Sequence, residues 1–278
     1  MFSRLNDFLQ YICLLFISLC LSITVSACSE DEPALQLTPP PSGQTQVLFI
    51  GSSYFAYNDL PGIFENLAEA GDKEVFIHQV IPLGTYLDYH STSSNTISMI
   101  NSRNWDMVIL QGVGRIVAYP EDAQFDLGSV LNSLEQTIHN NSSDTEIMFC
   151  MPWAFEDGML WTVGGTDDYF DMQQRIYDNT LAYPDLVDIV ISPVGWAWNT
   201  IMLEQPPEHY LFMADWNHPS LHGSYLTACV IYSSVFRESV EGTSFLAGLP
   251  ENEASHFQSV ASSIVMDSLD LWRLNQQD

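Results

Sequence analysis

Asp215-Trp216-Asn217-His218 sets a carboxylate three residues before an imidazole, and a serine, Ser53, stands just beyond the apolar run Val47-Leu48-Phe49-Ile50-Gly51-Ser52. A serine hydroxyl is a poor nucleophile until an imidazole takes its proton, and the imidazole holds the right tautomer only when an acid engages its other nitrogen. These residue types are the set for acyl transfer through a covalent intermediate: Ser53 as nucleophile, His218 as general base, Asp215 as orienting acid. The chemistry needs no metal and no cofactor. An Asp-x-x-His spacing also arises by chance, and the competing reading has Ser52 and Ser53 only capping the turn that follows. His222, four residues after His218, would share its helical face as a metal pair, but no third ligand lies nearby and no Cys/His cluster has zinc-ligand spacing.

These side chains need a scaffold to bring them together. Residues 46–50 form an apolar strand, and Asn58-Asp59-Leu60-Pro61 opens a helix with a capping side chain and a proline in its first turn. Further strands are expected at 74–81, 105–110, 146–151 and 187–192. Leu127, Val130, Leu131, Leu134 and Ile138 recur at helical spacing, and Phe257, Val260, Ala261, Ile264 and Val265 mark an amphipathic helix near the end. Strands alternating with helices predict an α/β fold, three-layered α/β/α, with a central and mostly parallel five-stranded sheet. Crossovers in such sheets are right-handed and sites form beyond the carboxyl ends of the strands. Ser53 after strand one, Gly84 after strand two and Gln111 after strand three therefore share one edge.

With those residues in order, the chain resembles an SGNH hydrolase of the GDSL esterase/lipase type, over about residues 45–240. The resemblance implies a flavodoxin-like SGNH fold and a Ser53-His218-Asp215 triad. It also implies an oxyanion hole built from the Ser53 amide, Gly84 and Gln111. Two departures stand out. Ser52 occupies the position where the family has Asp or Asn, which removes a supporting side chain. The Gly-x-Asn-Asp third block is absent, and Gln111 resembles the branch in which Gln replaces that Asn; its side-chain NH2 can donate as an asparagine's does. Gly84 as a plain turn glycine and Gln111 as a structural amide at a strand end remain open. His90, in Leu87-Asp88-Tyr89-His90, is either pocket lining or packing. Trp153, Trp161, Trp196, Trp198 and Trp216 are core or rim residues of which one or two line the site.

Composition bounds the partners. Among 278 residues, 35 Asp and Glu face seven Lys and Arg, a net charge of −28, so nucleic acid and anionic lipid surfaces are poor partners on electrostatic grounds and no nucleic-acid partner is expected. Residues 1–27 read as an export signal, with Arg4 ahead of an apolar stretch and small residues at its end. Val25-Ser26-Ala27-Cys28 resembles a bacterial lipobox, which implies that Cys28 is lipidated and is the membrane contact. Residues 28–44, acidic and then proline-rich, cannot bury a core and read as a tether; the hydrolase-like domain runs over 45–278. The alternative is an uncleaved anchor helix. Cys150 and Cys229 read as small buried hydrophobes, with a disulfide between them the alternative. The expectation is a lipid-anchored serine ester hydrolase of the bacterial cell envelope, at the outer membrane. It would remove short acyl (acetyl) groups from a glycan or another small-molecule ester. A lipid or phospholipid esterase and a non-catalytic glycan-binding lipoprotein are the alternatives.

Overall fold

The computed structural model describes residues 43–160 and 165–275. The export signal, Cys28, most of the tether and Trp161 lie outside the described residues.

Five strands form one sheet in the order β2-β1-β3-β4-β5: β1 Thr45–Ile50, β2 Val75–Val80, β3 Met107–Gln111, β4 Glu146–Cys150 and β5 Val190–Ser192. Every pairing is parallel, which extends the expectation of a mostly parallel sheet. All five residues of β3 are buried, as an apolar strand covered on both faces requires. β5 is shorter than expected, starting at Val190 and not at 187.

The helices in chain order are α1 Ser53–Ala56, α2 Leu60–Ala70, α3 Leu87–Thr92, α4 Ser94–Ile100, α5 Gly114–Ala118, α6 Leu127–Asn141, α7 Tyr169–Ala182, α8 Val194–Leu203, α9 Leu221–Phe236 and α10 Glu251–Met266. Contacts group α2, α9 and α10 together, and α3, α4 and α6 together. Two layers follow from the sheet order: the chain leaves β1 toward β2 and later returns past β1 to β3, so right-handed crossovers place successive helices on opposite faces. α6 buries the five residues expected from its spacing. α9 is buried nearly all round, from Gly223 to Val235, and is the helical centre of the core.

The reversal of strand order lies at β1, between β2 and β3, and in open α/β sheets such a switch point opens a crevice. Gly51 fits this crowded point because it has no side chain: a Cβ there would stand 2.9 Å from Gln111 and from Phe55. The entry to α2 corrects one expectation. Asp59 sits at the N-cap position with φ 52 and makes no side-chain cap hydrogen bond. Asn58 is also left-handed, at φ 58, a conformation Asn and Asp tolerate better than most residues. The Asn58 side chain reaches across the molecule instead.

Candidate active site

Ser53 is the first residue of α1, where β1 gives way to a single helical turn. Its Oγ lies 2.9 Å from His218 Nε2, and His218 Nδ1 lies 2.6 Å from Asp215 Oδ2. With the carboxylate on Nδ1, the imidazole carries its proton there and Nε2 accepts from the Ser53 hydroxyl. The residues singled out for acyl-transfer chemistry thus meet in one chain of hydrogen bonds. The capping alternative does not describe Ser52, whose side chain makes no cap bond to α1.

The loop bearing Asp215 and His218 is closed by its own backbone. Met213 N donates to His218 O at 2.7 Å and Ser220 N to Leu211 O at 2.9 Å, with a bridge between Phe212 and Pro219. Asp215 completes the turn: its Oδ1 accepts from the amides of Asn217 and His218 at 3.1 and 3.0 Å while Oδ2 serves the imidazole. Burial raises the pKa of this carboxyl, but the bonds from the His218 ring and from the two amides outweigh it and hold Asp215 below the ordinary carboxylate range.

Other elements hold that loop in place. Asn58 Nδ2 donates to Pro219 O at 3.0 Å and to Ser224 Oγ at 2.9 Å. Trp153 Nε1 donates to Asn217 O at 2.9 Å, the Tyr54 hydroxyl donates to Asn217 Oδ1, and the Glu156 amide donates to Trp216 O at 2.9 Å. Tyr54 stacks on Trp153, which stacks on Trp198. The His218 ring is flanked by Tyr57 at 4.6 Å and by the edge of Tyr54 at 5.7 Å. Burial pushes the Tyr54 phenol well above its ordinary value, so it is a neutral donor at any working pH.

Behind Ser53, Gln111 ties β3 to β1. Its Oε1 accepts from Ser52 N and Ser52 Oγ, both at 2.9 Å, and its Nε2 donates to Gly112 O. Without a substrate bound, Gln111 links the ends of the two strands as a structural amide. Ser52 is also not a bare loss of a supporting side chain, because its hydroxyl joins the same link. Gly84 sits exposed in the β2–α3 turn at φ 71, where a side chain would be strained. Among the described residues, the N–H groups of Ser53, Tyr54 and Gly84 have no hydrogen-bond acceptor.

His90 is fully buried under the first block. Its Nε2 lies 2.8 Å from Gly51 O and its Nδ1 2.9 Å from Thr96 Oγ1, so the neutral ring donates to the backbone two residues before Ser53. Burial lowers its pKa, opposed by the Gly51 bond and by Asp88. Sequence reasoning weighed His90 as lining or packing and did not assign it this support; Asn58, Tyr54, Glu156 and Asn217 were also missed. Only Asn217, between the acid and the base, carried a positional signal. His222 bonds Glu253 at 2.7 Å and not a metal partner of His218, and among the described residues no group of His, Cys, Asp and Glu is arranged to hold a metal. Cys150 and Cys229 are buried and unpaired, with burial raising both thiols. Trp153 and Trp198 belong to the core, whereas Trp216 is exposed on the loop between Asp215 and His218.

No family model and no curated protein matches the chain. Among solved structures, it is similar to a DUF4886 family protein from Bacteroides uniformis ATCC 8492, with a TM-score of 0.69 and 18% identity over 81% of this chain and 96% of that one. It is also similar to a candidate SGNH hydrolase from Slackia heliotrinireducens, with a TM-score of 0.54 and 22% identity over 68% of this chain and 98% of that one. A third, LAE5, an alpha/beta hydrolase enzyme from the metagenome of Lake Arreo, Spain, has a TM-score of 0.50 and 12% identity, over 68% and 94% of the two chains. At these identities the likeness establishes the fold: the three-layer α/β architecture of SGNH hydrolases.

Proposed function

We propose that this chain is a serine ester hydrolase of the SGNH superfamily. The observation that carries the reading is the unbroken series Ser53 Oγ, His218 Nε2, His218 Nδ1 and Asp215 Oδ2, at 2.9 and 2.6 Å, at the switch point of the sheet. Ser53 Oγ attacks the ester carbonyl as its proton passes to His218 Nε2, and Asp215 stabilises the imidazolium. The carbonyl oxygen becomes an oxyanion, with the amides of Ser53 and Gly84 as its donors. Collapse of the tetrahedral intermediate expels the alkoxide, which takes the proton from Nε2 and leaves an acyl group on Ser53. Water, deprotonated by His218, then releases the acid and restores the hydroxyl. Gln111 is the third donor that the resemblance implies, and a donor missing from such a hole typically costs about 2.7–4 kcal/mol of transition-state stabilisation.

A short acyl ester on a glycan is the substrate class we favour. The strong negative charge disfavours anionic lipid surfaces, and the exposed aromatic at the rim suits a sugar ring. Export and lipidation at Cys28 would hold the domain at the cell envelope, on the outer membrane, through a tether that gives it reach. A series of p-nitrophenyl esters tests the reading: hydrolysis of the acetate, falling with chain length and lost in Ser53→Ala, is expected. No ester hydrolysis at any length would favour a binding lipoprotein, and a preference for long chains would favour a lipid esterase.

A further inference from the structure

A pocket of about 410 Å³ opens beside the proposed triad, lined by Phe155, Asp157, Asp215, Trp216 and Asn217. Asp215 meets His218 at Nδ1 while Ser53 meets it at Nε2, so the pocket begins across the imidazole from the nucleophile. A substrate that reaches from Ser53 past the imidazole would place there a part beyond the acyl group under attack.

Trp216 supplies a second observation. Its side chain is 46% exposed while its backbone is held at φ 58, a conformation that Gly or Asn adopts at less cost than a bulky residue. Bonds from Trp216 N to Met213 O and from Glu156 N to Trp216 O fix it there. An exposed indole contributes little to the core, and strain retained beside a reacting centre is a pointer to function.

The lining discriminates between ligands. The lining is mostly apolar, with the exposed Trp216 indole as its flat aromatic face and Asp157 and Asn217 among its polar residues. A pyranose matches that mixture, with C–H faces for an aromatic ring and hydroxyls for a carboxylate and an amide. An acidic sugar would meet Asp157, Asp215 and a chain of net charge −28.

We propose that this pocket is a subsite for a neutral sugar residue neighbouring the esterified one, so that the protein acts on an oligomeric glycan; the assignment rests on Ser53 being the ester-hydrolysing nucleophile. Binding can be measured without turnover, by titrating xylotetraose, cellotetraose, mannotetraose and, as an uncharged apolar probe, octanol into full-length Ser53→Ala protein by calorimetry. At least one tetrasaccharide is expected to bind, and Trp216→Ala or Asp157→Ala in that background should weaken it about tenfold, or 1.4 kcal/mol, with thermal melts confirming folding. In the protein with Ser53 intact, Trp216→Ala should lower the ratio of kcat/KM for an acetylated oligosaccharide to that for p-nitrophenyl acetate by a similar factor. No tetrasaccharide binding, binding untouched by both variants, or octanol binding controlled by Trp216 would overturn the subsite. Trp216-dependent glycan binding with no ester hydrolysis would uphold the pocket and remove the esterase reading instead.

Discussion

Asp215 divides its two oxygens between two tasks, closing the turn with Oδ1 and holding the imidazole with Oδ2. Asp215→Asn can keep the turn but not the acceptor for the imidazole, so ester hydrolysis should fall by up to about four orders of magnitude with little change in melting temperature. Asp215→Ala should lose both; equal melting temperatures for the two would show that the turn does not depend on this side chain. Ser53→Ala should abolish turnover, and Ser52→Ala should cost less. His90 has its own pH signature. Its folded-state pKa lies below the ordinary value of about 6.5, so the unfolded chain binds the proton first. The stability it contributes is full above that value and declines as pH falls from there toward the folded pKa. His90→Gln should therefore be less stable than the parent at neutral pH and lose less on going from pH 7 to 5; parallel melting curves would rule this out. Ser53, His218 and Asp215 were legible because their chemistry demands particular types in a particular order. The orientation of Gln111 was not, since an amide can serve as donor or acceptor and only its neighbours, Ser52 and Gly112, decide.

At the scale of elements, the loop from Leu211 to Ser220 has almost no regular structure, and its position comes from contacts that cross the chain. Asn58 meets Pro219 from 161 positions away. Asn58→Ala should misplace His218 and lower kcat on the order of ten- to a hundredfold while the protein stays folded; unchanged kcat would mean the remaining clamps suffice. Trp153, fully buried between Tyr54 and Trp198, should cost about 3–5 kcal/mol as Trp153→Ala in chemical denaturation. Periodicity identified α6 and α10 because each buries one stripe, and the strands because their apolar runs are short and bounded. α8 and α9 showed no such stripe: α9 is buried on every side, and α8 carries apolar residues around most of its surface. The cap expected at Asp59 failed because composition shows which side chains can cap, and the backbone decides whether they do.

For the whole molecule, the parallel sheet in the order β2-β1-β3-β4-β5 follows from right-handed crossovers and a single reversal at β1, which is why the fold class could be read from the alternation of elements alone. The charge of −28 makes the folded state self-repelling, so raising salt from about 10 to 150 mM, which shortens the screening length from about 30 to 8 Å, should raise the melting temperature; a fall would contradict it. The lipid anchor we propose predicts that Cys28→Ser protein leaves the membrane fraction, since two or more acyl chains are what make such anchoring stable. A variant that stays with membranes would favour an uncleaved apolar anchor. The central claim is that His218 activates Ser53, and the most direct measurement is labelling with a fluorophosphonate followed by mass analysis of the modified peptide. One adduct on Ser53, absent in Ser53→Ala and strongly reduced in His218→Ala, is the predicted result; a folded protein that takes no label, or one labelled equally well without His218, would contradict the account.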